Sequence, residues 1–256
     1  GKLRIVAAEN FWGSIAAHLA GDKADVTNLI DNPASDPHDY EPTAADARAV
    51  ATASLVIVNG VGYDSWASKL IAANPADGRQ VINVGTLVGA PADGNPHRWY
   101  NPDDVRRVIE AVTAALQKAD PNDADYFAAE QQKYETTGLA KYNALIAEIK
   151  SKYAGTPVGA SESIFEMLAP SLVLNLLTPP TFLRAISEGT DPTAADKSTI
   201  DAQIKGHQIK VYVYNSQNAT PDVQAQVNAA KAAGIPVTTI TETLVPASAS
   251  FQEWQV

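Results

Sequence analysis

Rhythm is what most constrains this chain. Short runs rich in aliphatic and β-branched residues alternate with stretches of helical periodicity: LRIVAA, a helix from Phe11 to Ala20, VTNLI, a helix from Thr43 to Thr52, LVIVNG, QVINVG, and a helix opening at Asn101-Pro102-Asp103-Asp104. Such alternation predicts parallel strands joined by crossover helices. At the last of these helices Asn101 is the expected N-cap and Pro102 suits the first helical turn, where a missing N–H costs nothing.

The rhythm breaks between Pro121 and Tyr153. There Tyr126, Phe127, Tyr134, Leu139, Tyr142, Leu145, Ile146 and Ile149 recur at helical spacing in a polar, alanine-rich background, which predicts one long helix. Gly138 lowers helix propensity inside it and marks the place for a kink. Alternation then resumes with TPVGAS, a helix from Ile164 to Ala169, a proline-rich loop LLTPPTF, a helix from Ala194 to Lys205, IKVYVYN, a helix from Pro221 to Ala233, and IPVTTIT. The segment Ile186 to Thr193 carries glycine and proline punctuation that turns the chain into the next helix. The expected architecture is α/β: an N-terminal lobe over 1–120, a linking helix over 121–153, and a C-terminal lobe over 154–256. FQEWQV reads as the opening of an amphipathic helix left incomplete at Val256, so a terminal helix is expected beyond it.

At 256 residues the chain can bury a large core. Nineteen basic residues against 29 acidic ones give a formal net charge of -10, which argues against a nucleic-acid partner because phosphate binding needs a basic face. The chain contains no cysteine, so disulfides and thiolate ligands are excluded and any metal must be held by nitrogen and oxygen. No apolar run approaches the roughly 20 residues that span a bilayer, and Gly1-Lys2-Leu3-Arg4 runs straight into a strand, so the sequence reads as a mature, soluble form. Neither a P-loop nor a GxGxxG is present, and Ser161 lies in no GxSxG elbow.

Ligands of open parallel sheets bind beyond the carboxyl ends of the strands. Four polar residues fall there. His38 lies in DPHDYEP after VTNLI, His97 lies in NPHRWYNP after QVINVG, Glu162 follows TPVGAS, and Glu242 follows PVTTIT. In lobes that face one another these residues converge in the inter-lobe cleft as two imidazoles and two carboxylates, a set suited to zinc, manganese or iron(II). Both histidines follow a proline and precede an aromatic residue by two positions, a stiff setting of the kind a pre-organised ligand needs. Each residue also has an ordinary reading. A lone loop histidine is more often a surface residue, Glu162 is a favourable charge ahead of a helix near Ser163, and Glu242 is a solvated loop acid. His18 and His207 lack the repeated context and read as structural or surface residues. Asn215, Ser216, Gln217 and Asn218, which follow VYVYN, are turn and capping residues within reach of the same cleft.

With these residues in place, the chain resembles the zinc- and manganese-type solute-binding proteins of bacterial ABC transporters (cluster A-I, the cluster 9 family), which include streptococcal lipoprotein adhesins. AENFWGSIAAHLAGDKADVTNLI is similar to the family's opening strand and helix, with its turn at Ala20-Gly21-Asp22. DPHDYEPTAADARAVATASLVIVNGVGYDSW resembles the first ligand block, which makes His38 a metal ligand. NPHRWYNP resembles the second, so His97 carries the next ligand role; Asn95 and Asn101 stand where aspartates are common, which reduces the expected support around it. SESIFEMLA resembles the third block, where the family uses histidine or glutamate, here Glu162. ITETL resembles the fourth, commonly aspartate, here Glu242.

The resemblance implies a non-enzymatic extracytoplasmic receptor, a lipid-anchored monomer at the periplasm or cell surface. Its cargo is one Mn2+ or Zn2+ ion, which it passes to an ABC permease for import. No histidine lies between His38 and His97, and the third position is glutamate; zinc members often differ at both points, so the resemblance leans to manganese, although zinc is the tighter binder at most nitrogen and oxygen sites. Affinity is expected to fall as histidine protonates, near an unperturbed value of about 6.5. Two other classes use the same residues: a metal-dependent hydrolase, which needs an open coordination position and a base such as Asp39, and a receptor for a small organic solute that the histidines hydrogen-bond.

Overall fold

In the computed structural model, which describes residues 1–256, the alternation resolves into two four-stranded, fully parallel sheets. The first contains β1 (Leu3–Glu9), β2 (Ala24–Ile30), β3 (Leu55–Val58) and β4 (Gln80–Asn83), in the order β2-β1-β3-β4. It is interleaved with α1 (Asn10–Ala20), α2 (Ala44–Ala51), α3 (Ser65–Ala73) and α4 (Val84–Val88), and followed by α5 (Pro102–Ala119). Its two central strands, β3 and residues 5–8 of β1, read as continuous apolar runs because both faces are covered, while the edge strands β2 and β4 carry polar and exposed residues. Val6, Ala8, Val56 and Val58 pack with Val50 and Ala67 on one side, and their neighbours Ile5, Ala7 and Ile57 are equally buried, as the two-residue period of a strand requires.

The second sheet repeats the order. β5 (Pro157–Ala160), β6 (Asn175–Leu176), β7 (Tyr212–Asn215) and β8 (Val237–Ile240) run as β6-β5-β7-β8. Its helices are α8 (Ile164–Leu168), α9 (Pro180–Glu188), α10 (Ala194–Lys205) and α11 (Pro221–Ala232). Tyr212 packs with Phe182, Ile200 and Val227 on one face, while Val213 joins Val158, Phe165 and Leu183 on the other.

The expected long helix is two helices in series, α6 (Ala124–Lys133) and α7 (Ala140–Tyr153), separated by a π-turn over Tyr134–Gly138. The Leu139 N–H donates to the Tyr134 carbonyl at 2.8 Å, five residues back. Gly138 is needed here by contact as well as by propensity, since a Cβ on it would lie 2.7 Å from the buried Tyr134 ring.

The chain forms two compact units, 1–143 with 243–256, and 144–242. The boundaries therefore differ from the expected 120/121 and 153/154, and the last 14 residues join the first unit rather than the second. The reason is local: α12 (Phe251–Gln255), with a Ser250/Glu253 capping box, buries Phe251 fully against Tyr142 and sets Trp254 5.3 Å from the Tyr100 ring. LLTPPTF is also more ordered than expected. Pro180 occupies the first position of α9, whose Phe182, Leu183 and Ile186 are buried and whose end is capped by Gly189; the paired prolines mask a helix start as a loop. No helix is long and apolar enough to cross a membrane.

Candidate metal centre

In the first unit the strand order reverses between β1 and β3, the position where open α/β sheets form a crevice. β3 leads into Asn59 and Gly60, and the Asp64 carboxylate accepts both of their backbone N–H groups, at 2.7 and 2.9 Å. Gly60 has φ +73°, and the Asn83 side-chain oxygen would lie 2.2 Å from a Cβ there, so only glycine fits. This tight turn presents Tyr63, which is buried. Its ring centroid lies 4.8 Å from that of His38 and 6.1 Å from that of His97. The structure thus brings both predicted histidines onto one aromatic support, backed by Trp99 at 5.0 Å from Tyr63, which itself stacks on Phe11 at 4.0 Å.

The two histidines are held in the same way. Asp36 Oδ1 accepts the backbone N–H of His38 at 2.9 Å and faces its Nδ1 at 3.0 Å. Asn95 Oδ1 does the same for His97, at 3.1 and 2.8 Å. The intervening proline carbonyls are also pinned: Pro37 O by the Trp66 indole N–H at 2.7 Å, and Pro96 O by the Asn59 side-chain amide at 2.7 Å. An oxygen acceptor at Nδ1 favours the tautomer with its proton there, which puts the lone pair on Nε2. His97 is 1% exposed, whereas the His38 side chain is 39% exposed.

Beneath this turn lies a second carboxyl group. Glu9, at the end of β1, is fully buried, and burial first and the Asp64 carboxylate second push its pKa well above the usual range. Beside His97, Arg98 pairs with Asp104 at 2.8 Å, yet burial outweighs that cation and the Asp104 pKa is also raised.

In the second unit the order reverses between β5 and β7. Glu162 leaves the end of β5 at 2% exposure. Its Oε2 accepts from Asn215 Nδ2 at 3.0 Å and Asn218 Nδ2 at 3.2 Å. Glu242 follows β8 and donates its backbone N–H to Gln217 Oε1 at 2.8 Å. One carboxylate oxygen of each glutamate lies within 4.8 Å of the other, so the structure also brings this pair together. The loop 215–218, expected to serve turns and caps, is what organises both.

The other two histidines are occupied structurally. His18 bonds Ser14 O at 2.8 Å through Nδ1, and His207 bonds Ala233 O at 2.8 Å through Nε2. Tyr63, Asn59, Asp64 and Glu9 escape sequence reasoning, because nothing local distinguishes them from core or turn residues. The Asx-Pro-His spacing of Asp36 and Asn95 was visible, and it is the signal for the histidine supports.

The first unit offers two imidazoles, each with Nδ1 against an oxygen acceptor, and the second offers two carboxylates; nitrogen and oxygen donors without sulfur are of the kind a divalent transition ion takes. A family profile described as zinc-uptake complex component A, periplasmic, matches residues 5–256. The manganese-binding lipoprotein MntA of Halalkalibacterium halodurans is 30% identical over 137 residues, covering 52% of this chain and 45% of that protein. The iron-binding protein YfeA of Yersinia pestis is 28% identical over 179 residues, covering 66% and 56%. The chain thus spans about half the length of the curated relatives it matches. Among solved structures, the manganese-bound periplasmic metal-binding protein of Candidatus Liberibacter asiaticus superposes with a TM-score of 0.78 at 19% identity, covering 99% of this chain and 97% of that one. FpvC of Pseudomonas aeruginosa, in complex with Mn2+, gives 0.78 at 24% identity, covering 100% and 94%. At these identities the likeness establishes the fold.

Proposed function

The chain belongs to the zinc-uptake component A family of periplasmic proteins, and from that premise we propose that it is an extracytoplasmic receptor, not an enzyme, which captures one divalent metal ion and delivers it to an ABC permease. His38, His97, Glu162 and Glu242 are the proposed ligands, and Mn2+ or Zn2+ the proposed cargo. The observation that carries this reading is the repeated histidine clamp, in which an Asx oxygen two residues upstream takes both the backbone N–H and Nδ1 of each histidine. Such a clamp costs ordering entropy and orients one nitrogen outward, which a merely structural histidine does not need. The names of relatives, a manganese-binding lipoprotein among them, support the cargo class and an attachment to the membrane by lipid.

Elemental analysis of chelator-stripped protein, reloaded with equal free zinc and manganese, tests the reading. One bound ion per chain, lost in His97→Ala and in Glu162→Ala, is expected; a chain that binds neither ion is not such a receptor.

A further inference from the structure

The two amides on Glu162 converge on a single oxygen. Asn215 Nδ2 and Asn218 Nδ2 both reach Oε2, at 3.0 and 3.2 Å. Their orientation follows from their other partners. Asn215 Oδ1 accepts the Gln217 backbone N–H at 2.9 Å, so the opposite end of that amide is the donor. Asn218 Nδ2 also faces the Ile186 carbonyl at 3.3 Å, a group that only accepts. The Asn215 backbone is fixed in turn by Ser161 Oγ, which accepts its N–H at 3.1 Å. Asn215 is fully buried and Glu162 nearly so, so water does not compete freely for these bonds.

We propose that Asn215 and Asn218 set the denticity of Glu162: with Oε2 committed to two amide donors, the carboxylate meets a divalent ion through Oε1 alone. This rests on Glu162 being a ligand, as proposed above. A bidentate carboxylate must offer both oxygens to the ion, and here that means weakening two hydrogen bonds to a carboxylate, one buried and one part-buried, which are among the stronger ones in a protein. Two N–H donors also withdraw charge from Oε2 and make it a poorer ligand. Zinc is satisfied by four ligands, whereas manganese seeks a larger oxygen-rich shell. The amide pair therefore selects for zinc and against manganese, a preference opposite to the one the glutamate at this position suggests by itself.

The test compares wild type with Asn218→Ala, in which the half-buried donor is removed, and with Asn215→Ala/Asn218→Ala. Competitive loading with zinc and manganese is followed by X-ray absorption at both metal edges, and unfolding of the metal-free proteins monitors the fold. Asn218→Ala is expected to lower the zinc-over-manganese ratio about tenfold, in the range typical of groups that orient ligands, and to add an oxygen to the manganese shell. An unchanged ratio and shell in a folded Asn218→Ala protein overturns the proposal, as does a bidentate Glu162 in a crystal structure of the zinc-loaded wild type. Glu162→Gln separates the two ideas: retention of stoichiometric metal in that variant refutes the ligand assignment itself, while its loss together with an indifferent Asn218→Ala refutes only the denticity role.

Discussion

Asn95 Oδ1 takes two hydrogen bonds from one residue, His97: its backbone N–H at 3.1 Å and its ring Nδ1 at 2.8 Å. Asp36 makes the same pair of contacts to His38, so a carboxylate supports one imidazole and a neutral amide supports the other. A carboxylate raises the basicity of the distal nitrogen more than an amide does. Asn95→Ala is expected to weaken metal binding about 10–100-fold, and Asn95→Asp to strengthen it relative to wild type. Chelator competition at fixed pH measures both; affinities within twofold of one another in all three proteins would remove Asn95 from the ligand support.

Asn59 joins the core to the His97 loop. It is fully buried, its Oδ1 accepts the Trp12 indole N–H at 3.1 Å, and its amide holds Pro96 O at 2.7 Å. Asn59→Ala strands both partners and is expected to destabilise the metal-free protein by about 1–3 kcal/mol, read from urea unfolding. It should also cost metal affinity, since the residue next to the anchored carbonyl is His97. Asn59→Asp keeps the acceptor for Trp12 and loses the donor to Pro96, so it should recover less affinity than stability.

The fold was legible in the sequence because alternation and burial agree. The stretches IVAA and LVIV are apolar throughout and fully buried, as a strand covered on both faces requires, and β1 and β3 form where expected. What was hidden depended on contacts distant in sequence. α12 belongs to the first unit because Phe251 finds Tyr142 and its N–H finds Ser14 Oγ at 2.9 Å, and no local pattern encodes a partner more than 200 residues away. The histidines and glutamates stood out through repeated motifs and strand ends. Tyr63 did not, because an aromatic residue after a glycine turn looks like any core residue until His38 and His97 are seen packed on it.

Gly138 gives a case in which helix propensity and packing oppose one another. Alanine is the better helix former by about 1 kcal/mol, yet a Cβ at 138 would meet Tyr134 Cδ1 at 2.7 Å. The Tyr134 ring is buried, and its hydroxyl donates to Gln252 Oε1 at 3.0 Å, tying the π-turn to α12. Gly138→Ala is therefore expected to destabilise by about 1–3 kcal/mol and to expose the C-terminal segment to proteolysis first. A stabilised variant would mean that the turn relaxes to a regular helix without penalty.

Glu9 makes stability fall with rising pH. Its folded pKa is raised by burial and by Asp64, so between the unfolded value, near 4.3, and the folded one the native chain holds a proton that the unfolded chain releases. Through that window the unfolded state binds fewer protons, and the unfolding free energy declines as pH climbs. Below it the group contributes no pH dependence. Glu9→Gln keeps a donor of the same shape and removes the ionisation, so it should gain on wild type progressively between pH 5 and pH 8. Urea midpoints at those two pH values decide it: a constant difference between the proteins would show that Glu9 titrates alike in both states, and a gain confined to the higher pH would identify it as the buried acid that the Asp64 turn keeps neutral.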